Sequence, residues 1–140
     1  ENLNGVTRNE EFGNMASSTS VYPVVRKKLV ELQRQLAKSA DVIMDGRDIG
    51  TCVLPDAQVK IYLTASSATR AKRRYDELTE KGVSCDLAEI EKDIIDRDYR
   101  DMHRETSPLR QAEDAVLVDS SEMNIDEVVD AIYQVYSEAR

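Results

Sequence analysis

A single histidine, His103, and two cysteines, Cys52 and Cys85, are all the histidine and thiol ligands in this sequence, and the cysteines lack CxxC spacing. That scarcity argues against a zinc site or a disulfide framework and points to a reducing cytoplasm. No apolar run approaches the ~20 residues that a membrane-spanning helix needs, and no secretory leader pattern is present. An excess of positive charge is missing too. The net charge is -8, so the long-range field repels phosphate and argues against general affinity for nucleic acid or an anionic membrane. Any site for a phosphorylated ligand must then be a local basic cluster. There are no internal repeats and no low-complexity tracts. The chain has no initiator methionine and its first twenty residues are polar, which suggests a piece that begins inside something longer. Its 140 residues suit one domain with one hydrophobic core.

What is present is strongly patterned. From Tyr22, with Pro23 suited to a first helical turn, Val25, Leu29, Leu32 and Leu36 recur at helical spacing and predict an amphipathic helix to about Lys38. Three short apolar runs follow, Val42-Ile43-Met44, Val59 to Leu63 and Ala115 to Val118. They fit strands buried on both faces of a parallel sheet better than strands wetted on one side. One helix is predicted over about Ser67 to Lys81, with Ser66 or Ser67 as cap, Gly82 as stop and Ala71, Tyr75 and Leu78 as its apolar stripe. Two more run from about Asp86 to Arg104 and from about Ile125 to Ala139, the latter carrying Val128, Val129, Ile132 and Val135. The alternation of strands and helices reads as α/β with a parallel sheet.

The helix from Asp86 changes character along one face. Leu87, Ile90, Ile94, Arg97, Asp101 and Arg104 fall at spacings of three and four, so a stripe that begins apolar ends as Arg, Asp, Arg. One reading is a surface ion ladder. The other follows from continuity: if Leu87 to Ile94 face the protein, Arg97, Asp101 and Arg104 also point inward, and two inward arginines need an anion or a hydrogen-bonding ligand. A second basic cluster, Arg70, Lys72, Arg73 and Arg74, lies in the preceding helix, where a solvated face is the plainer reading. The stretch "DGRDIG" at 45–50 would sit beyond the carboxyl end of a strand, where open α/β sheets place ligands. Gly46 and Gly50 let the backbone turn there, Arg47 offers a fork of donors matched to phosphate, and Asp48 offers acceptors. Together these residues predict one cleft, lined by Arg47, Arg97, Arg104, Asp48 and Asp101, for a small phosphorylated ligand bearing hydroxyls or an amino group.

The stretches "RNEEFGNMAS", "YPVVRKKL", "DGRDIGTCVLPDAQVKIYLTAS", "RAKRRYDEL", "RDYRDMHRETSPL" and "VLVDSSEM" resemble, in order and over nearly the whole chain, the bacterial cytidylate kinases among the nucleoside monophosphate kinases. The resemblance implies a three-layer α/β fold with a parallel sheet and a single partial kinase domain. Within it, residues 1–38 would be the end of the monophosphate-binding insertion and the following helix, and 39–65 the core strands. Residues 66–104 would be a helix and lid region, and 105–140 the last strand and helix. It further implies phosphoryl transfer from ATP with Mg2+ to CMP or dCMP in pyrimidine metabolism, in the cytoplasm, by a protein that is monomeric when complete. Ser17, Arg26 and Asp48 would read cytosine, Arg47 would bind the acceptor phosphate, Arg97 and Asp101 the sugar hydroxyls and nearby oxygens, and Arg104 the nucleotide. Arg70, Arg73 and Arg74 would face ATP or the migrating phosphoryl group and, with Arg47 and Arg97, serve catalysis. No residue is expected to bind a metal directly.

One element of that pattern is missing. The loop GxxxxGK[ST], which cradles the β and γ phosphates of ATP, does not occur in this sequence. In the family the strand before that loop lies between the strands matching Val42 to Asp45 and Val59 to Leu63. Without it, two strand edges are left open to altered pairing or self-association. The chain alone is therefore expected to be inactive. The alternative is a nucleotide-binding module, or one half of a split enzyme.

Overall fold

The computed structural model describes residues 10–19 and 22–139, beginning with a helix that the polar sequence gives no periodic sign of, α1 (Glu10–Thr19). α2 (Pro23–Ser39) follows, with proline in its first turn as predicted. Its stripe of Val25, Leu29, Leu32 and Leu36 remains 41% to 54% exposed, so the amphipathic face exists but is only half covered.

After α2 the backbone passes through Val42-Ile43-Met44 without pairing, then closes a wide helical turn, Ile49–Val53. The Asp48 carbonyl accepts from Cys52 N–H at 2.8 Å and from Val53 N–H at 3.1 Å, and Leu54 N–H reaches back to Ile49. Gly46 permits the tight approach, since a Cβ there would lie 3.0 Å from Ile49 Cγ1. Arg34 of α2 ties the turn down by donating to the carbonyls of Val53 at 2.8 Å and Cys52 at 2.7 Å, and Val53 is fully buried.

β1 (Ile61–Thr64) pairs in parallel with β2 (Val116–Asp119), Ile61 opposite Val116 and Thr64 opposite Asp119. The α/β class with a small parallel sheet is thus as the sequence predicts. Two expectations fail. The Val42–Met44 run is not a strand, because a strand needs a ladder partner and none is present among the described residues; Ile43 stands fully in solvent. Nor are the strands buried on both faces: Val118 is buried, while Leu63, Val116 and Leu117 remain about half exposed. A sheet of two strands is narrow enough for water to reach its side chains around both edges.

The helices start and stop where capping chemistry places them. α3 (Ser67–Glu80) begins at Ser66, whose hydroxyl accepts from Thr69 N–H, and ends before Gly82, whose φ of 72° favours glycine. α4 (Leu87–His103) begins at Asp86, which accepts from Glu89 N–H at 2.9 Å. α5 (Ile125–Glu138) begins with a reciprocal pair in which Glu127 N–H donates to the Asn124 side chain and Asn124 N–H to the Glu127 side chain. α3 lies along α4, with Ala71 completely buried, and α5 packs on β2. The core proper is small, centred on Val53, Ala65, Ala71 and Val118. No helix among the described residues is long and apolar enough to cross a membrane.

Candidate functional site

The stripe on α4 turns inward as its continuity requires. Ile90 and Ile94 are partly covered, Leu87 at the edge is 41% exposed, and Asp101 is buried at 4% exposure. A buried carboxylate is costly unless charge and hydrogen bonds meet it. Two arginines do so: Arg47 Nε donates to Asp101 Oδ2 at 2.9 Å, and Arg104 Nη1 lies 3.8 Å from Asp101 Oδ1. Arg97 lies one helical turn before Asp101 on the same face. Its Nε is buried with no hydrogen-bond partner among the described residues. α1 approaches the same group, since a Cβ on Gly13 would sit 3.7 Å from Arg97 Nη1.

Asp48, next in sequence to Arg47, is buried at 7% exposure and pairs with Arg26 of α2. Consecutive residues of the "DGRDIG" loop thus engage two ion pairs, Asp48 with α2 and Arg47 with α4. The two pairs share one loop through the Arg47–Asp48 peptide bond, and with Arg97, one turn before Asp101 on α4, the set holds four guanidinium groups and two carboxylates. The excess charge is +2 in a chain of net charge -8. Arg26 Nε, like Arg97 Nε, is buried and unpaired among the described residues. Buried donors are rarely left so, and these two are suited to an anionic or acceptor-rich ligand. Ser17, the remaining residue expected at the base, lies in α1 with its side chain outside the described residues.

The arginines of α3 are arranged differently. Arg70 donates from Nε to the Ala65 carbonyl at 3.0 Å and from both terminal nitrogens to Asp98 of α4. The hydrogen bonds to Asp98 raise its pKa above the ordinary arginine value, against the opposing effect of burial. Arg73 spans from α3 to the end of β2, donating to the Ser120 hydroxyl at 3.2 Å, the Ser120 carbonyl at 2.6 Å and the Met123 carbonyl at 2.9 Å. Arg74 pairs with Glu77 at 2.8 Å one turn along. These three have partners of their own, and neither Asp48 nor Asp101 is among them.

Sequence reasoning missed Asp98 and Arg34. Asp98 lies one position off the α4 stripe and meets an arginine 28 residues away, so no local spacing announces it. Arg34 acts through main-chain carbonyls of a turn that has no periodic signature.

A sequence model of cytidylate kinase matches residues 1–138. The chain belongs to the cytidylate kinase family. It is 54% identical over 128 residues to the cytidylate kinase of Lactobacillus johnsonii, covering 91% of this chain and 56% of that protein. The Lactobacillus gasseri cytidylate kinase gives the same identity and coverage. A Streptococcus pneumoniae cytidylate kinase is 53% identical over 125 residues, 89% of this chain and 56% of the relative. The chain therefore spans about half the length of the curated relatives it matches. The loop GxxxxGK[ST] does not occur in the sequence.

Proposed function

We propose that this chain supplies the acceptor-nucleotide side of a cytidylate kinase that, when complete, moves the γ-phosphoryl of Mg-ATP onto CMP or dCMP. The observation that carries the reading is the pairing of Arg26 with Asp48 and of Arg47 and Arg104 with Asp101, with two buried Nε donors, on Arg26 and Arg97, left unpaired among the described residues. Its chemistry suits a pyrimidine monophosphate. Cytosine offers acceptors at O2 and N3 and a donor at its amino group, and Arg26 and Asp48 present the complementary pair. Uracil has a carbonyl in place of that amino group and would face the Asp48 carboxylate acceptor to acceptor. Arg47 and Arg97 serve the acceptor phosphate, where guanidinium forks match phosphate oxygens. Asp101 accepts from the sugar hydroxyls and, by holding Arg47 and Arg104, fixes the direction of both.

ATP and magnesium would supply the transferable phosphoryl group and its charge neutralisation. The residues of this chain do not provide the phosphate-cradling loop, so its own part is to bind and orient the acceptor. Arg70, Arg73 and Arg74 would face the donor only by exchanging their present partners. We read the chain as one partial kinase domain of the three-layer nucleoside monophosphate kinase type. Residues 1–38 would end the monophosphate-binding insertion and form the next helix, 39–65 the central strands, 66–104 the lid, and 105–140 the last strand and helix. The strand missing beside β1 is the one that leads into the phosphate loop, and the unpaired Val42–Met44 segment with its exposed Ile43 accords with that gap. The complete protein would be a cytoplasmic monomer, while this chain alone would be inactive and prone to self-association through its open edges.

Calorimetric titration of CMP and UMP into the chain tests the reading. CMP should bind, and UMP at least tenfold more weakly; equal affinities would remove the base assignment. The same absence of the loop supports a second reading, either a nucleotide-binding module without catalysis of its own or one half of a split enzyme. Mixing with the amino-terminal part of a relative separates the two: CMP-dependent ADP formation on mixing marks a split enzyme, and binding without turnover marks a module.

A further inference from the structure

The loop after α4 leaves the helix at Arg104 and returns to it at once. Leu109 N–H donates to the Asp101 carbonyl at 2.8 Å, meeting one of the last carbonyls of the helix, which have no partner within it. Between these points Ser107 has a φ of 51°, in the left-handed region, the one such non-glycine residue among those described. Serine is not favoured there, and Pro108 after it restricts the choice further toward extended backbone. The consequence of this conformation is a contact: the Ser107 carbonyl accepts from Arg104 Nε at 2.8 Å. The Arg104 side chain is 12% exposed, and its Nη1 faces Asp101 Oδ1. The strap 105–109 thus holds Asp101 by its main chain and Arg104 by its guanidinium, from a segment with no regular structure of its own.

We propose that Ser107 is a positioning residue for the acceptor nucleotide: its left-handed backbone aims a carbonyl at Arg104 Nε, fixing the guanidinium plane so that the terminal nitrogens are presented to the ligand. A guanidinium held at Nε loses little freedom on binding, whereas one free to rotate must be ordered by the ligand itself. The proposal rests on the acceptor reading above for its ligand and on geometry alone for the contact. The serine hydroxyl has no hydrogen-bond partner among the described residues, so the backbone conformation, not the side chain, carries the role. Glycine at 107 keeps that conformation open, and a β-branched residue closes it.

The test uses two readouts on the chain. In NMR hydrogen exchange of arginine Nε–H groups, Arg104 should exchange at least tenfold more slowly than the exposed Arg110. Equal rates would overturn the proposal without any variant. Ser107→Val should abolish that protection and weaken CMP binding about tenfold, while Ser107→Gly should leave both within about twofold of the parent. Unchanged protection and CMP affinity in Ser107→Val, or equal damage from glycine, would also overturn it. If Ser107→Val does not fold, the parent exchange rate and the glycine variant still decide. If the parent binds no CMP, the acceptor reading fails, while the exchange rates still decide whether Ser107 holds Arg104.

Discussion

Two groups of arginines face each other in this molecule's logic, and they are treated in opposite ways. On α3, Arg70 and Arg73 have their guanidinium donors met by Asp98 and by carbonyls at the ends of β1 and β2. By contrast, two arginines share the one carboxylate of Asp101, and the buried Nε groups of Arg26 and Arg97 lack partners among the described residues. The first group holds elements together; the second keeps buried donors without partners among the described residues, which is why we propose it as the ligand site. The comparison teaches that arginine density in a sequence does not mark a binding site. What distinguishes a site is donors that the fold brings inside and leaves unpaired.

The largest effect should come from breaking the shared acid. Asp101→Ala leaves Arg47 and Arg104 without their buried partner and should weaken CMP binding on the order of 100-fold, measured by calorimetry. Asp48→Asn should come next. It removes the carboxylate proposed to separate cytosine from uracil, so the CMP-to-UMP affinity ratio should fall about tenfold, with Arg26 losing its ionic partner. On the other side of the comparison, Asp98→Ala should lower stability by ~1 kcal/mol in chemical denaturation, because the Arg70 pair is partly exposed and screened. CMP affinity should stay within about twofold. A tenfold loss of CMP affinity in Asp98→Ala would erase the distinction between the two groups.

The smallest effect concerns a pair belonging to neither group. Lys60 and Asp114 join the start of β1 to the approach to β2, and the hydrogen bond from Lys60 holds the Asp114 carboxyl below the usual carboxylate range. A carboxyl depressed in the folded state contributes stability above its unfolded value, and that contribution disappears as pH falls through the folded value. Asp114→Asn should therefore flatten slightly the acid limb of a melting-temperature profile, with no difference from the parent in the shape of the profile above about pH 5.

How legible this was in the sequence depended on whether the signal was periodic. The α4 face could be read residue by residue because its polar members continue an apolar stripe, and Asp101 is buried as that continuity requires. The cap at Ser66, one of two serines the sequence offered, and the stop at Gly82 were legible as local chemistry. Pairings across the fold were not: nothing near Arg70 points to Asp98, and nothing near Arg104 points to the carbonyl of Ser107. Nor could the apolar run Val42–Met44 reveal whether a neighbour exists to pair with it. Composition states that a strand is possible; a ladder needs a second chain segment, and among the described residues none lies beside this one. The resemblance supplied roles that periodicity alone could not, and the geometry sorted those arginines into two sets.

The most direct test of that sorting is to follow the arginine Nε–H resonances of the chain while CMP is added. Arg26, Arg47, Arg97 and Arg104 should shift together along one saturating curve, with Arg70, Arg73 and Arg74 unmoved. Shifts confined to the α3 arginines, with the other four unchanged, would contradict that sorting.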